Sequence, residues 1–252
     1  MSEKHWRLIS ASVPGTSHIK RQQPCQDAHY WELISEQMIA VAVADGAGSA
    51  ALADIGAQTA VKTAVQTLKD KLETLPEDDL QWQNLFKDVL KITYQTLEAE
   101  ALARQTSIRE LASTLILVVA TPNSVIATQV GDGAAVLCDQ HDNIFALTTP
   151  QSGEHINETS FLISPDIIDP APVMIWKGHL TRLALFSDGL QLLALKMPQG
   201  IPHPPFFQPL FRFIGEVTDE IEAKEQLISF LQSPRVMERA DDDLTLVLVA
   251  WQ

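Results

Sequence analysis

Three strand-like segments of this sequence each end at an aspartate that is followed by glycine. These pairs are Asp45-Gly46, Asp132-Gly133 and Asp188-Gly189, and a fourth acidic group, Asp241 to Asp243, stands directly before the last apolar segment. A carboxylate at the end of a buried strand is held at a fixed point, and a glycine lets the backbone approach a bound group closely. Because Mg²⁺ and Mn²⁺ prefer oxygen ligands, four such groups in one chain indicate a site for hard divalent cations.

Each of these groups also has a simpler explanation. Asp-Gly is a favoured hairpin turn, but Asp45-Gly46 is followed by an Ala-rich helical pattern and not by a matching strand. Residues 241–243 can form a solvated acidic loop. Adjacent carboxylates repel one another, so their position before an apolar strand requires a cation or a basic group, for which Arg235 and Arg239 are candidates.

The apolar pattern predicts strands that come in adjacent runs and helices that come in separate groups. The predicted strands cover 5–13, 27–33, 38–44, 113–120, 124–130, 134–138, 144–148, 182–186 and 244–251. The predicted helices cover 49–72, the segment from the acidic turn at 77–79 to about 104, and 219–231, whereas 16–26, 149–179 and 198–209 are predicted to be irregular.

This order of elements predicts an α+β fold and not an alternating βαβ fold. The strands carry apolar residues on both faces, so both faces have to be covered by other elements. We therefore expect a central antiparallel β-sandwich flanked by helix pairs, in four layers ordered α-β-β-α. No Ser/Gly-rich linker or charged block divides the 252 residues, which predicts a single domain over 1–252.

The composition limits the function classes. With 18 basic and 32 acidic residues the formal net charge is −14, which argues against binding to nucleic acid or to anionic membranes. Cys25 and Cys138 are too few for a disulfide-rich scaffold. Met1 to Arg7 lacks the apolar core of a signal peptide and no apolar run has the length of a membrane span, so we expect a cytoplasmic protein.

An ordered series of short motifs resembles the type 2C, metal-dependent Ser/Thr protein phosphatases, in a compact bacterial branch. The motifs are Gly15-Thr16-Ser17-His18, Gln26-Asp27-Ala28, Val43-Ala44-Asp45-Gly46, Ala112-Ser113-Thr114-Leu115, Val130-Gly131-Asp132-Gly133, Phe186-Ser187-Asp188-Gly189 and Asp242-Asp243-Leu244-Thr245. Each motif is short, but together they follow the family order from about residue 6 to 250. The resemblance implies the same β-sandwich, with two Mn²⁺ or Mg²⁺ ions at one end.

The resemblance also implies roles for individual residues. Asp45 would bridge both metals and the carbonyl of Gly46 would bind one of them, while Asp188 and Asp242 would complete the ligands of the other. Asp132 corresponds to the residue that recruits a third, weaker metal. Asp27, next to Gln26, would hold the waters bound to the metals, and Asp243 stands where the family usually has asparagine.

Two positions depart from the family pattern. The family usually has a phosphate-binding arginine five residues before the first aspartate, where this chain has Gln22. Arg21 or His18 is then expected to bind the substrate phosphate. Ala47 stands where the animal enzymes have a histidine that acts as general acid. The loop at 149–170 corresponds to the flap that shapes substrate choice, with a different sequence.

The resemblance implies hydrolysis of phosphoserine and phosphothreonine in proteins by a water activated between two metals. A monomer whose partner is a phosphorylated protein is expected. The alternative is a non-catalytic module that binds a phosphoprotein, which the missing arginine favours and the retained carboxylates oppose. A further alternative keeps the chemistry but acts on phosphotyrosine or a small phosphate ester. The glycine-rich loops that bind nucleotide phosphates and the His-Glu-x-x-His motif of zinc proteases are absent from the sequence.

Overall fold

The computed structural model describes residues 5–72, 75–150, 159–163 and 165–252. Its strands are β1 Trp6–Val13, β2 Ala28–Ser35, β3 Met38–Ala44, β4 Leu115–Thr121, β5 Ser124–Val130, β6 Ala134–Asp139, β7 Ile144–Ala146, β8 Val173–Lys177, β9 Leu180–Phe186, β10 Leu195–Lys196, β11 Ile201–Pro202 and β12 Leu244–Trp251. The helices are α1 Thr16–Arg21, α2 Ala53–Lys71, α3 Asp79–Ala103, α4 Pro165–Ile168, α5 Gln191–Ala194, α6 Pro204–Glu216, α7 Glu220–Leu231 and α8 Pro234–Met237. Short 3₁₀ helices cover Ile108–Leu111 and Asp188–Leu190.

Two five-stranded sheets form the centre of the fold. The first has the order β1-β12-β9-β6-β7 and the second has the order β2-β3-β4-β5-β8. Every pair of neighbouring strands is antiparallel. β10 and β11 pair separately as a short ribbon. The structure therefore confirms the predicted α+β class with antiparallel sheets.

Strand β3 shows how the sequence builds the layers. Its alternate residues Ile39, Val41 and Val43 pack between the two sheets. Ala40, Ala42 and Ala44 face the other way and join the cluster under the helices. All seven residues of β3 are buried, and burying one Val or Ile side chain contributes about 1.5–3 kcal/mol. A strand that is apolar on both faces is thus stabilised only inside a layered structure.

Helices cover the outer face of each sheet. Over the second sheet, α2 contributes small buried residues such as Ala57, Ala60 and Ala64, and α3 adds the larger Phe86 and Leu90. Over the first sheet, α6 and α7 bury an apolar set made of Phe207, Phe211, Ile214, Leu227 and Leu231. The four layers α-β-β-α are those predicted. None of the helices within the described ranges is long and apolar enough to cross a membrane.

Three segments that were predicted to be irregular contain regular structure, so these predictions are wrong. Residues 16–26 include α1, which at six residues is too short to show a helical period. Residues 149–179 include β8, and 198–209 include the first half of α6. Proline at the start of α6 lacks only an N–H that would have no helical partner, and Pro209 is accepted inside the helix.

Candidate metal centre

The acidic groups meet at one end of the sandwich because of the strand pairing. β9 ends where β12 and β6 begin, with Phe186 opposite both Leu246 and Ala134. β5 ends where β4 begins, and Gly46, just after β3, bridges to Ser113, just before β4. The aspartates that follow or precede these strand ends are thereby brought together from four parts of the chain.

Three carboxylates form the centre of the site. Asp45, Asp132 and Asp188 each offer an oxygen atom, and these atoms lie within 4.8 Å of one another. The Oδ1 atoms of Asp132 and Asp188 are buried and accept no hydrogen bond from the described residues. Buried polar atoms without partners cost free energy, and crowded carboxylates repel one another. The donor set, which contains only oxygen, therefore fits a hard divalent cation.

Two of these carboxyl groups, Asp45 and Asp188, have a raised pKa and hold protons more tightly than ordinary aspartates. Loss of solvent raises the pKa of Asp45 well above its usual range, and the nearby Asp27, Asp188 and Asp242 raise it further. Burial, together with the charges of Asp132 and Asp242, raises the pKa of Asp188 to about 7. A bound cation reverses this effect, since it favours the charged form of each carboxyl group.

The backbone at Asp45 is fixed on both sides. The Asp45 N–H donates to Thr114 Oγ1 at 2.9 Å, and the Asp45 carbonyl accepts from the Thr114 N–H at 2.8 Å. The Gly46 N–H donates to the Gln26 carbonyl at 3.2 Å. A Cβ atom on Gly46 would lie 2.7 Å from the carbonyl oxygen of Ala53, so a side chain does not fit there. These contacts hold the backbone of Asp45 at a fixed point directly after β3, as the sequence predicts.

Asp27 lies behind this centre and is buried. Its Oδ2 atom accepts from Ser187 Oγ at 2.6 Å, and Ser187 Oγ accepts from the Thr245 N–H at 3.0 Å. Burial raises the pKa of Asp27 to about 7 although the bond from Ser187 opposes the shift, and the charge of Asp243 raises it further. Oδ1 of Asp27 is buried without a protein partner in the described part of the chain.

Asp243 holds the segment that contains α1. The Gly15 N–H donates to Asp243 Oδ1 at 2.8 Å, and the Gln26 N–H donates to Asp243 Oδ2 at 2.5 Å. His18 Nδ1 lies 2.8 Å from Asp243 Oδ1, and the two residues are only 5% and 1% exposed. Gly15 is required for this approach, because a Cβ atom there would lie 2.0 Å from the carbonyl oxygen of Asp242.

Sequence reasoning missed this arrangement. It placed Asp243 at the position where the family usually has asparagine and considered His18 as a phosphate-binding residue. The signal was present, since an aspartate in the usual asparagine position gains an acceptor oxygen that a nearby histidine can use. The contact joins residues that are distant in sequence, so only the tertiary structure shows it.

The remaining predicted site residues are distributed as follows. Asp242 is exposed, and its carboxylate forms a group of possible metal ligands with His18 and Asp243. The group that contains Asp45 and Asp188 is completed by Asp132. Asp242 still lies close enough to raise the pKa of Asp45 and Asp188. Arg21 ends α1, is exposed, and has no ion-pair or hydrogen-bond partner within the described ranges.

Neither Arg235 nor Arg239 forms an ion pair with the acidic group at 241–243 in the described structure, so neither supplies the neutralising base considered from the sequence.

The loop that corresponds to the flap lies partly outside the described residues, at 151–158 and 164. Its described part reaches the site, because Thr159 Oγ1 donates to Asp132 Oδ2 at 2.7 Å.

Burial and the charges of Asp27 and Asp243 raise the pKa of the Cys25 thiol, which disfavours a thiolate nucleophile.

Comparison with known proteins identifies the family. Residues 14–232 match the sequence profile of protein phosphatase 2C. Over 254 aligned residues the chain is 37% identical to serine/threonine-protein phosphatase 3 of Escherichia coli (strain K12), and the alignment covers 98% of each chain.

Solved structures of bacterial phosphatases share the fold at low identity. The S. agalactiae serine/threonine phosphatase is 14% identical with a TM-score of 0.68, covering 98% of this chain and 100% of that one. Stp1 from Staphylococcus aureus is 15% identical with a TM-score of 0.65, covering 97% and 94%. The catalytic domain of the phosphatase PstP, solved in complex with two manganese ions, is 14% identical with a TM-score of 0.63, covering 99% of each chain.

Proposed function

Because the chain belongs to the protein phosphatase 2C family, and is therefore an enzyme of the metal-dependent phosphatase class, we propose that it hydrolyses phosphoserine and phosphothreonine in proteins with Mn²⁺ or Mg²⁺. The observation that supports this most is the group of Asp45, Asp132 and Asp188, whose oxygen atoms converge within 4.8 Å. Two of these carboxylates have a buried oxygen without a partner in the described structure, which is the condition that a cation relieves.

We assign the ligands as follows. Asp45 would be the ligand common to two metals, with the Gly46 carbonyl, Asp188 and Asp242 as the other protein ligands. Asp132 would hold a third, weaker metal, and its place beside Asp45 and Asp188 supports a role as ligand. When bound, such metals polarise the phosphate and lower the pKa of a water molecule towards neutrality.

Asp27 is assigned to orient water at this centre. Its Oδ2 atom is occupied by Ser187, which fixes the carboxyl group, while Oδ1 remains available as an acceptor. Ala47 has no proton to donate, so a water molecule at the metal centre is the proposed source of the proton for the serine or threonine leaving oxygen.

Arg21 is the residue that we assign to the substrate phosphate. Its guanidinium is exposed and unpaired in the described structure, and it can offer two parallel donors to a phosphate group. His18 is buried against Asp243 and is better placed to hold α1, the helix that carries Arg21. The two residues that the sequence left as alternatives then have different tasks on the same helix.

The test is Mn²⁺-dependent turnover of a phosphoserine peptide and of p-nitrophenyl phosphate. Asp45→Asn should reduce turnover of both substrates by at least about 100-fold, because the ligand shared by the metals is weakened. Asp70→Asn, which removes one carboxylate from an exposed position on α2, is the matched control and should keep wild-type rates. Full activity of Asp45→Asn would refute the assignment, and tight phosphopeptide binding without turnover by the wild type would favour a non-catalytic binding module.

A further inference from the structure

An apolar groove lies among α6, α7 and α8, on the helical layer outside the first sheet. Its volume is about 340 Å³, and its walls include the half-buried rings of Phe206, Phe213 and Phe230 together with Leu193. Phe206 and Phe230 lie with their ring centroids 6.2 Å apart. Half-exposed aromatic rings grouped in a groove are typical of a surface that binds another molecule.

The rim of this groove is basic, although the chain as a whole carries a net negative charge. Arg235 and Arg239 line it, and no Asp or Glu does so in the described part of the chain. Neither arginine has an ion-pair partner there. In a chain with a formal net charge of −14, two unpaired arginines at an apolar groove make a local site for carboxylates.

The groove adjoins the candidate metal centre through two short chain segments. Arg239 precedes Asp242 by three residues, so their Cα atoms are at most about 11 Å apart. Leu193 follows Asp188 by five residues, through the short helical turns that begin at Asp188. A peptide with one end in the groove can therefore reach the metal centre with an extended linker of about four to six residues.

We propose that this groove docks an acidic, apolar segment of the phosphoprotein substrate, about four to six residues from the phosphorylated side chain. Apolar side chains of that segment pack on Phe206 and Phe230, and its carboxylates pair with Arg235 and Arg239. The inference rests on the proposed function. It identifies which phosphoproteins the enzyme prefers, because the net negative charge of the chain repels an acidic peptide whereas the two arginines of the groove attract it.

The test uses three phosphoserine peptides with one common core. The first carries Leu, Phe and several Glu residues about five positions from the phosphoserine, the second has Lys in place of Glu, and the third has Ser in place of Leu and Phe. The wild type should show a kcat/KM about tenfold higher for the first peptide than for the other two, mainly because its KM is lower. The variant Arg235→Glu/Arg239→Glu should prefer the second peptide instead.

Two controls separate the groove from the metal centre. Lys62→Glu/Lys87→Glu changes the net charge by the same −4 on the opposite helical layer and should keep the wild-type preference. p-Nitrophenyl phosphate has no docking segment. Its turnover with Mn²⁺ should therefore stay within about twofold of wild type in both double variants.

The outcomes are distinguishable. Equal kcat/KM for the three peptides, with normal p-nitrophenyl phosphate turnover, would overturn the docking proposal alone. No turnover of any substrate by the wild type would overturn the proposed function and the docking role with it. Light scattering that shows a dimer for the wild type and a monomer for Arg235→Glu/Arg239→Glu would assign the groove to a second copy of the chain and also overturn the proposal.

Discussion

Replacement of Asp243 is the perturbation whose effect on stability follows most directly from the structure. This carboxylate is 1% exposed and accepts hydrogen bonds from the N–H groups of Gly15 and Gln26, with His18 beside it. Asp243→Ala leaves two buried amide donors without an acceptor, and each such loss costs about 1–3 kcal/mol. Removal of a charge that raises the pKa of Asp27 offsets part of the cost.

We expect Asp243→Ala to lower the free energy of unfolding by about 2–4 kcal/mol. Asp243→Asn keeps the size and one acceptor oxygen but places an NH₂ group where the second oxygen was. One of the two amide donors then loses its acceptor, so the expected loss is about 1–2 kcal/mol. Because α1 carries Arg21, the KM for a phosphopeptide should also rise in the alanine variant.

The assay is urea unfolding followed by tryptophan fluorescence, in the presence of EDTA. Asp219→Ala is a matched control, because Asp219 also accepts from two backbone N–H groups, those of Ile221 and Glu222, but at the exposed start of α7. Its loss should cost about 1 kcal/mol. If Asp243→Ala cost no more than this control, or if the asparagine variant cost as much as the alanine variant, the role given to Asp243 would be wrong.

Two further predictions concern the phosphate and the effect of pH. Arg21→Ala should raise the KM for a phosphoserine peptide about tenfold or more with a smaller change in kcat, whereas the adjacent Lys20→Ala should not; an unchanged KM would place phosphate binding elsewhere. Because burial raises the pKa of Asp27 and Asp188 to about 7, the folded protein holds protons that the unfolded chain releases near pH 4. Without metal, the free energy of unfolding should therefore fall as pH rises from about 4 to about 7, and Mn²⁺ should abolish this fall; a rise measured in EDTA would contradict it.

The layers and the place of Asp45 directly after a strand could be predicted from the sequence because these depend on local patterns. β3 is apolar on both faces and ends at Asp45, so its burial and the position of the carboxylate follow from the same seven residues. α6 was not predicted because Pro209 stands inside it and two prolines begin it, although Phe207, Leu210, Phe211 and Ile214 have helical spacing. Apolar packing under α6 outweighs the hydrogen bond that Pro209 cannot make.

Contacts between distant segments could not be predicted from the sequence. The grouping of Asp132 with Asp45 and Asp188, while Asp242 lies beside His18, depends on how four strand ends meet. Likewise, Arg235 and Arg239 are near the acidic group at 241–243 in sequence but line an apolar groove in the fold. Spacing along the chain identified the chemistry of these residues without fixing which of them are neighbours.

Diffraction from crystals grown with Mn²⁺, with anomalous data collected at the manganese edge, tests the central claim most directly. Two strong anomalous peaks are expected that share Asp45 as a ligand, with Asp188 and Asp242 bound to one of the two ions and the Gly46 carbonyl to the other. The same experiment on Asp45→Asn should lose at least one peak. Two fully occupied ions that do not contact Asp45, or no ion among these carboxylates at saturating Mn²⁺, would contradict the account.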